Sequence, residues 1–253
     1  MRFWLGTHQV DWLGKTEVPL MVSHRRLAKH VGLPRARGPW VLDSGAFSEI
    51  AEHGCFTTTP MAYALAVTRY RDEIGNLQWC APQDWMCEPH MLRRTGMTVL
   101  QHQKLTTGNY LWLRDTGIPV IPVLQGWRIG DYLDHASAYE RAGVDLEREP
   151  VVGLGSVCRR QHTDSIVALV GALQPLRLHG FGMKSAGISR AAYGLASADS
   201  MAWSYNARRA RALAGCTHRS CANCLRYALW WRQRVLASCH GAQQGAFELG
   251  GVA

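Results

Sequence analysis

Short apolar runs alternate with helix-like stretches along most of this chain, and that alternation limits the folds open to it. The strand-like runs are Phe3–Gly6, Val18–Val22, Trp40–Leu42, Leu77–Ala81, Ile118–Leu124, Val151–Leu154, Leu176–Phe181 and Leu195–Ala198. Between them, Arg25–Val31, Met61–Ile74, Met97–Leu113, Asp131–Ala142, Thr163–Leu173 and Ser189–Tyr193 read as helices. Strands that alternate with helices build βα units around a parallel sheet. Eight strands in about 200 residues fit an α/β fold of the (β/α)8, TIM-like barrel kind. A doubly wound open sheet is the competing arrangement.

The polar residues fall into step with this pattern. Asp43, Asp84, Gln125, Gly155-Ser156, Gly182-Met183-Lys184 and Asp199 each stand just after an apolar run or at its end. In a barrel, the strand ends on one face carry the chemistry. One rule therefore gathers separated segments at one pocket.

At 253 residues the chain can bury a substantial core, and a single barrel domain over 1–253 is expected. No run of about 18 apolar residues suggests a membrane span. Met1–Gly6 has no apolar signal core, so the cytoplasm of a bacterium or a phage-infected host is expected. Net charge is +9, and its distribution is informative. No acidic residue occurs between Asp199 and Glu248, while Arg208, Arg209, Arg211, Arg219, Arg226, Arg232 and Arg234 do. Such a one-sign segment, threaded with tryptophan, cysteine and leucine, reads as a phosphate-binding surface. Lys184 is a further candidate at the pocket rim.

Within that basic segment, Cys216-x4-Cys221-x2-Cys224 brings three thiols into nine residues. Three thiolates at this spacing suit tetrahedral zinc, which needs a fourth ligand. His240 is the first candidate; His218 and Cys239 are alternatives. Four protein ligands make a closed, structural site, in a subdomain at about residues 209–243. Cys55, Cys80, Cys87 and Cys158 lack metal spacing and read as packing residues.

Asp199 ends an apolar run and precedes an arginine-rich helix. It can attack an electrophilic sugar carbon or cap the helix. Asp43 lies in Asp43-Ser-Gly-Ala-Phe47, where small residues admit a close ligand and Phe47 can stack on a base. Two carboxylates flanking a glycosidic bond are the equipment of retaining glycosyl transfer. Asp84 can accept from the N1–H and exocyclic amine of a guanine-like base. Gln125 can donate to O6, and Gly153-Leu154-Gly155 can offer backbone groups to the base edge. His8, just after the first strand, faces the same pocket and reads as a hydrogen-bonded structural histidine rather than a catalytic one.

Taken together, these residues resemble the tRNA-guanine transglycosylase superfamily. Within it they look most like the DpdA-type deazapurine-DNA modification proteins of phages and bacterial genomic islands. Asp43-Ser-Gly-Ala-Phe47 is similar to that family's DSGG[FY] motif. Val152-Gly-Leu-Gly155 resembles its GGLA-type backbone clamp. Asp199 matches its nucleophile, Arg208 a basic residue nine positions on, and Cys216, Cys221, Cys224 and His240 its zinc site. The family's CxCxxC spacing is altered here. Cys158 stands where a glutamate is usual past the clamp, and His179 where the tRNA enzymes stack an apolar side chain. The chain is also much shorter than a bacterial tRNA enzyme. These departures favour the DNA-modifying branch. The resemblance implies a glycosyltransferase that exchanges guanine in DNA for a 7-deazaguanine such as preQ0, through a covalent aspartyl intermediate. Its implied partners are DNA and the free base, with Zn2+ as a structural metal. The same exchange on tRNA, and zinc-stabilised nucleic-acid binding without catalysis, are the other functions this sequence admits.

Overall fold

A computed structural model of the chain describes the backbone of residues 1–158 and 163–249, and the side chains of these apart from 163 and 240–249. The strands are β1 (Arg2–Thr7), β2 (Leu20–Ser23), β3 (Trp40–Asp43), β4 (Leu77–Cys80), β5 (Val123–Leu124), β6 (Val152–Leu154), β7 (Leu178–Gly180) and β8 (Leu195–Ser200). Among the described residues these eight form one sheet, in the order β4-β3-β2-β1-β8-β7-β6-β5. Every strand pairing in it is parallel. The sheet curls until β4 meets the segment that enters β5. There Cys80 N donates to Pro119 O at 2.9 Å, and Ile121 N donates to Cys80 O at 3.1 Å.

The helices are α1 (His24–Leu27), α2 (Ala46–His53), α3 (Pro60–Ile74), α4 (Pro89–Thr95), α5 (Val99–Asp115), α6 (Ile129–Arg141), α7 (Thr163–Ala172), α8 (Ser185–Ala191), α9 (Ala202–Arg209) and α10 (Leu225–Leu249). Local chemistry sets their ends. Thr59 caps α3, with Pro60 in its first turn, where a missing N–H costs nothing. Thr98 and Gln101 form a capping box on α5. The run Ile118–Leu124 yields only a two-residue strand, because Pro119 and Pro122 cannot donate to a ladder. The helix expected over Ser189–Tyr193 starts earlier, at Ser185. Two further helices, α2 and α4, follow β3 and β4 in segments whose apolar spacing is too short to announce them.

Both faces of the sheet are buried, which explains the continuous apolar runs. Inside the curl, Trp4, Met21, Val41, Trp79, Ile121 and Val151 pack together with Phe181. Outside it, Leu5, Val22, Leu42, Leu154 and Leu178 meet helix residues such as Tyr63, Tyr70, Tyr110 and Tyr139. Each such large buried apolar side chain contributes roughly 1.5–3 kcal/mol. A third, smaller cluster of Ala46, Ile50, Met86 and Met91 lies beneath the loops after β3 and β4. It ties α2 to the Asp84 loop at the carboxyl end of the strands. Among the described residues no helix is long and apolar enough to cross a membrane.

Candidate active site

A cavity of about 580 Å³ opens at the carboxyl ends of the strands, lined among others by Asp43, Phe47, Asp84, Gly155 and Asp199. Its size is that of a site for a small organic ligand. The strand register explains who faces it. Trp4 pairs with Asp199 and Ser23 with Asp43. Partners in a parallel ladder share a face, and residues two apart along a strand do too. Asp43, two residues past the inward Val41, and Asp199, beside the inward Trp4, therefore top the interior.

Asp199 lies inside β8, not at a helix cap; the N-cap of α9 is Met201. It is 7% exposed. Its Oδ1 accepts from the Gly182 N–H at 2.8 Å and lies 3.3 Å from His179 Nε2. His179 is completely buried, its Nδ1 bonds to Ser197 Oγ at 2.8 Å, and its ring stands edge-on to Trp79 and Phe181. It lies beneath Asp199, its Nε2 making no hydrogen bond, and does not line the cavity.

Asp43 accepts from Ser23 and from the Gly45 N–H. Burial raises its carboxyl above the usual range, these bonds oppose that rise, and the charge of Asp199 adds to it. Gly45 sits at φ +81 as the N-cap of α2, a left-handed conformation that suits glycine. A Cβ there would also stand 2.7 Å from Arg25 Cγ. That is the physical reason for a glycine two residues after the aspartate.

Asp84 anchors a buried network. Ser44 Oγ donates to its Oδ1 at 3.3 Å, and Gln125 Nε2 donates to its Oδ2 at 2.5 Å. The other end of the Gln125 amide, Oε1, is 2.7 Å from Ser156 Oγ, which is also 2.9 Å from Glu88 Oε2 and accepts from the Cys87 N–H. Burial, and then the charge of Asp43, pushes the Asp84 carboxyl up to about 7.

This arrangement corrects several sequence expectations. Gln125 is fully buried and does not line the cavity. Its amide is spent on Asp84 and Ser156, so it positions Asp84 and does not face a base. Leu154 points into the outer core. Gly153 is a packing glycine, since a Cβ there would lie 2.5 Å from Phe181 Cε2. Of the three clamp residues only Gly155 reaches the cavity wall. Lys184 is an exposed N-cap of α8 outside the cavity. Arg208 and Arg209 are exposed at the far end of α9, with Arg209 stacked 3.8 Å over the ring of Tyr205. Cys55 is exposed rather than packed. Cys158 lines the cavity, its Sγ 3.8 Å from Glu88 Oε1.

Glu88 and Ser156 reach the same wall, and of the two only Ser156 follows an apolar run in the sequence. Glu88 is 1% exposed and lines the cavity. Glu88 stands eight residues past the end of β4, before Pro89, so no strand-end signal marks it and only the fold brings it to the wall. Ser156 holds φ +55, an uncommon conformation for a residue with a side chain. It brings its hydroxyl between Glu88 and Gln125. Buried networks of this kind fix one geometry when every member is satisfied.

Behind α9 lies a candidate metal centre. Cys216, His218, Cys221 and Cys224 place one ligand atom each within 4.8 Å of one another. Three thiols and an imidazole make a Cys3His donor set. His218 comes from within the loop itself, its Nε2 3.1 Å from Cys221 Sγ. It completes the set that His240 was expected to complete; the His240 side chain lies outside the described residues. Cys239 is buried in the core cluster and is not in the set. Burial, then the neighbouring Cys221 and Cys224 thiols, raises the Cys216 thiol. A bound dication offsets both effects, so the residues fit a metal ion. The loop also touches the cavity rim, where His8 Nε2 bonds to Asn223 Oδ1 at 2.8 Å.

Several solved structures share part of the chain path. Oxaloacetate acetylhydrolase in complex with oxalate is 13% identical, over 99% of this chain and 93% of that chain, with a TM-score of 0.49. For 2,3-dimethylmalate lyase the values are 10%, 99%, 93% and 0.44. For the YdjI aldolase from Escherichia coli K12 they are 12%, 82%, 78% and 0.37. Comparison with curated proteins returns no match. The profile of the family DpdA, deoxypurine in DNA protein A, matches residues 1–252, and the chain belongs to that family.

Proposed function

We propose that this protein is a DNA-guanine transglycosylase, exchanging guanine in DNA for a 7-deazaguanine base such as preQ0. Family membership supports a role in deazapurine modification of DNA. The observation that carries the chemistry is the meeting of Asp43, Asp84 and Asp199 in one cavity, each in a different setting. We read the curled sheet as a (β/α)8 barrel closed through the Cys80 bonds, with the Cys3His loop holding a structural Zn2+ through Cys216, His218, Cys221 and Cys224. Bound there, zinc would supply folding energy to the loop.

In this reading an Asp199 carboxylate oxygen attacks C1′ of the target nucleotide. The C1′–N9 bond breaks through an oxocarbenium-like transition state, and guanine departs with the electron pair. Asp43, whose raised carboxyl can hold a proton, protonates the leaving base. The incoming base then attacks C1′ through N9 and gives its N9 proton to Asp43, and the ester to Asp199 breaks. One glycosidic bond replaces another, so the exchange needs no energy source. The Gly182 N–H holds the attacking carboxylate in place, with His179 packed beneath it. Phe47 stacks on the base, and the Gly155 backbone meets its edge. A target base must leave its stack to enter such a cavity.

Asp84 reads the N1–H and 2-amino group as an ionised acceptor, held in place by Ser44 and Gln125. Because its carboxyl titrates at about 7, base binding should weaken as pH falls through 7 and saturate above it. Calorimetry of base binding across that range checks this; equal affinity at pH 6 and pH 8 would remove Asp84 from the role. Stability should move the other way. A carboxyl whose folded value is raised stabilises the fold only while protonated, and that stability is lost as pH rises toward 7. Asp84→Asn should therefore raise Tm at pH 8 while impairing selection for the 2-amino group. Following labelled guanine into DNA and into tRNA, side by side, tests the polymer. Incorporation into tRNA alone would reject the DNA assignment.

A further inference from the structure

We propose that the phosphodiester backbone of the substrate strand crosses the cavity mouth over α1, with Arg26 and Lys29 as its phosphate contacts. This rests on the nucleotide reading of the cavity given above.

The helix α1 follows β2 directly and stands at the mouth. It is rigidly seated. His24 is buried, bonds through Nδ1 to the Tyr70 hydroxyl at 3.1 Å, and packs edge-on against Tyr63. Leu27, one turn on, is wholly buried. With these two inward, Arg25, Arg26 and Lys29 are turned toward the cavity, and all three line it. They are not equivalent. Arg25 is committed, its Nε 3.1 Å from Glu49 and its guanidinium 2.6 Å from Glu52. Arg26 and Lys29 are exposed, and among the described residues neither forms an ion pair with a carboxylate. Lys29 lies within electrostatic reach of Glu52, whose carboxylate is bonded to Arg25, so Arg26 and Lys29 together still present positive charge to a ligand.

Acids line the β3 and β4 side of the cavity, Asp43, Glu52, Asp84 and Glu88, with Glu52 paired to Arg25. Asp84 and Glu88 come from the loop after β4, beside Ser156 after β6. The basic pair comes from the β2 side, next to β1 and then β8, which carries Asp199. A nucleotide has an anionic backbone at one end and a neutral base at the other. Its favoured orientation puts phosphate over α1, the base edge at Asp84 and the sugar between, within reach of Asp199. The residues expected from sequence to meet phosphate, Lys184, Arg208 and Arg209, do not line the cavity. Arg209 lies at the end of an eight-residue helix, about 12 Å along from Met201 at the rim.

The test is single-stranded DNA binding, read by fluorescence anisotropy over a range of salt concentrations. The variant is Arg26→Ala/Lys29→Ala, and its thermal melt reports that it folds. The matched control is Arg93→Ala/Lys104→Ala, two exposed cations without a carboxylate partner among the described residues, which removes equal charge outside the cavity. The α1 variant should lose about 1.4 from the slope of log affinity against log salt, two contacts at about 0.7 each. Its KM for DNA should rise while KM for the free base stays. An unchanged slope in the α1 variant, or an equal loss in the control, overturns the proposal. The two readings fail separately. An unchanged slope alongside loss of exchange in Asp199→Ala removes the α1 track and leaves the chemistry. A lowered slope in a protein that exchanges no base does the reverse.

Discussion

Asp199→Asn is expected to abolish base exchange, by at least roughly 10⁴-fold, the scale seen when a covalent nucleophile is removed. Asparagine is the cleaner variant for a structural reason. The Gly182 N–H donates to Asp199 Oδ1, and an amide oxygen still accepts that bond. Alanine would leave the N–H without its partner, at about 1–3 kcal/mol. Loss of activity with an unchanged melt in the asparagine variant isolates the chemistry from the fold. Asp43→Asn should be milder, a roughly 10²–10⁴-fold slowing, because a misplaced proton is less costly than a missing nucleophile. Single-turnover kinetics on a labelled oligonucleotide separates the two. Near-normal exchange in Asp199→Asn would leave the covalent mechanism without its central residue.

The second large effect concerns the metal loop. Cys221→Ser should strip the metal and unfold the segment around it. Cys221 is wholly buried and its Sγ accepts from the Leu213 N–H. Ser204 Oγ donates to the neighbouring Ala222 carbonyl, so the loop also braces α9. Structural zinc supplies on the order of 10–16 kcal/mol to a site of this kind. Elemental analysis of wild type should give about one zinc per chain. His218→Ala should lose it, and His240→Ala should keep it. The opposite pattern would return the fourth ligand to His240. Because Asn223 bonds to His8 at the cavity rim, metal loss should also shift the His8 imidazole resonances in NMR spectra.

Much of this architecture is legible in the sequence, for a stated reason. Strands buried on both faces appear as unbroken apolar runs, and the polar residue that ends each run marks one end of the sheet. Asp43 and Asp199 were visible in that way. Other features were not. The Pro119 and Pro122 interruptions shorten β5, since a strand is defined by its bonds and not only by its apolarity. Gln125 has the same sequence signature whether it faces a ligand or a neighbouring carboxylate. Only the approach of Asp84, 41 residues away, decides it. Glu88 and Ser156 meet across 68 residues, a distance no local pattern spans. Spacing favours His240 over His218, because it shows which ligands are available and not which way the loop turns.

Nucleoside mass spectrometry tests most directly whether this cavity replaces a base in DNA. Purified protein is incubated with DNA and preQ0, the DNA is digested, and the deoxynucleosides are separated. A deoxynucleoside of preQ0, formed with a matching release of free guanine, is expected with wild type and not with Asp199→Asn. Unmodified DNA with zinc-loaded wild type, or a modified nucleoside formed equally well by Asp199→Asn, would contradict this.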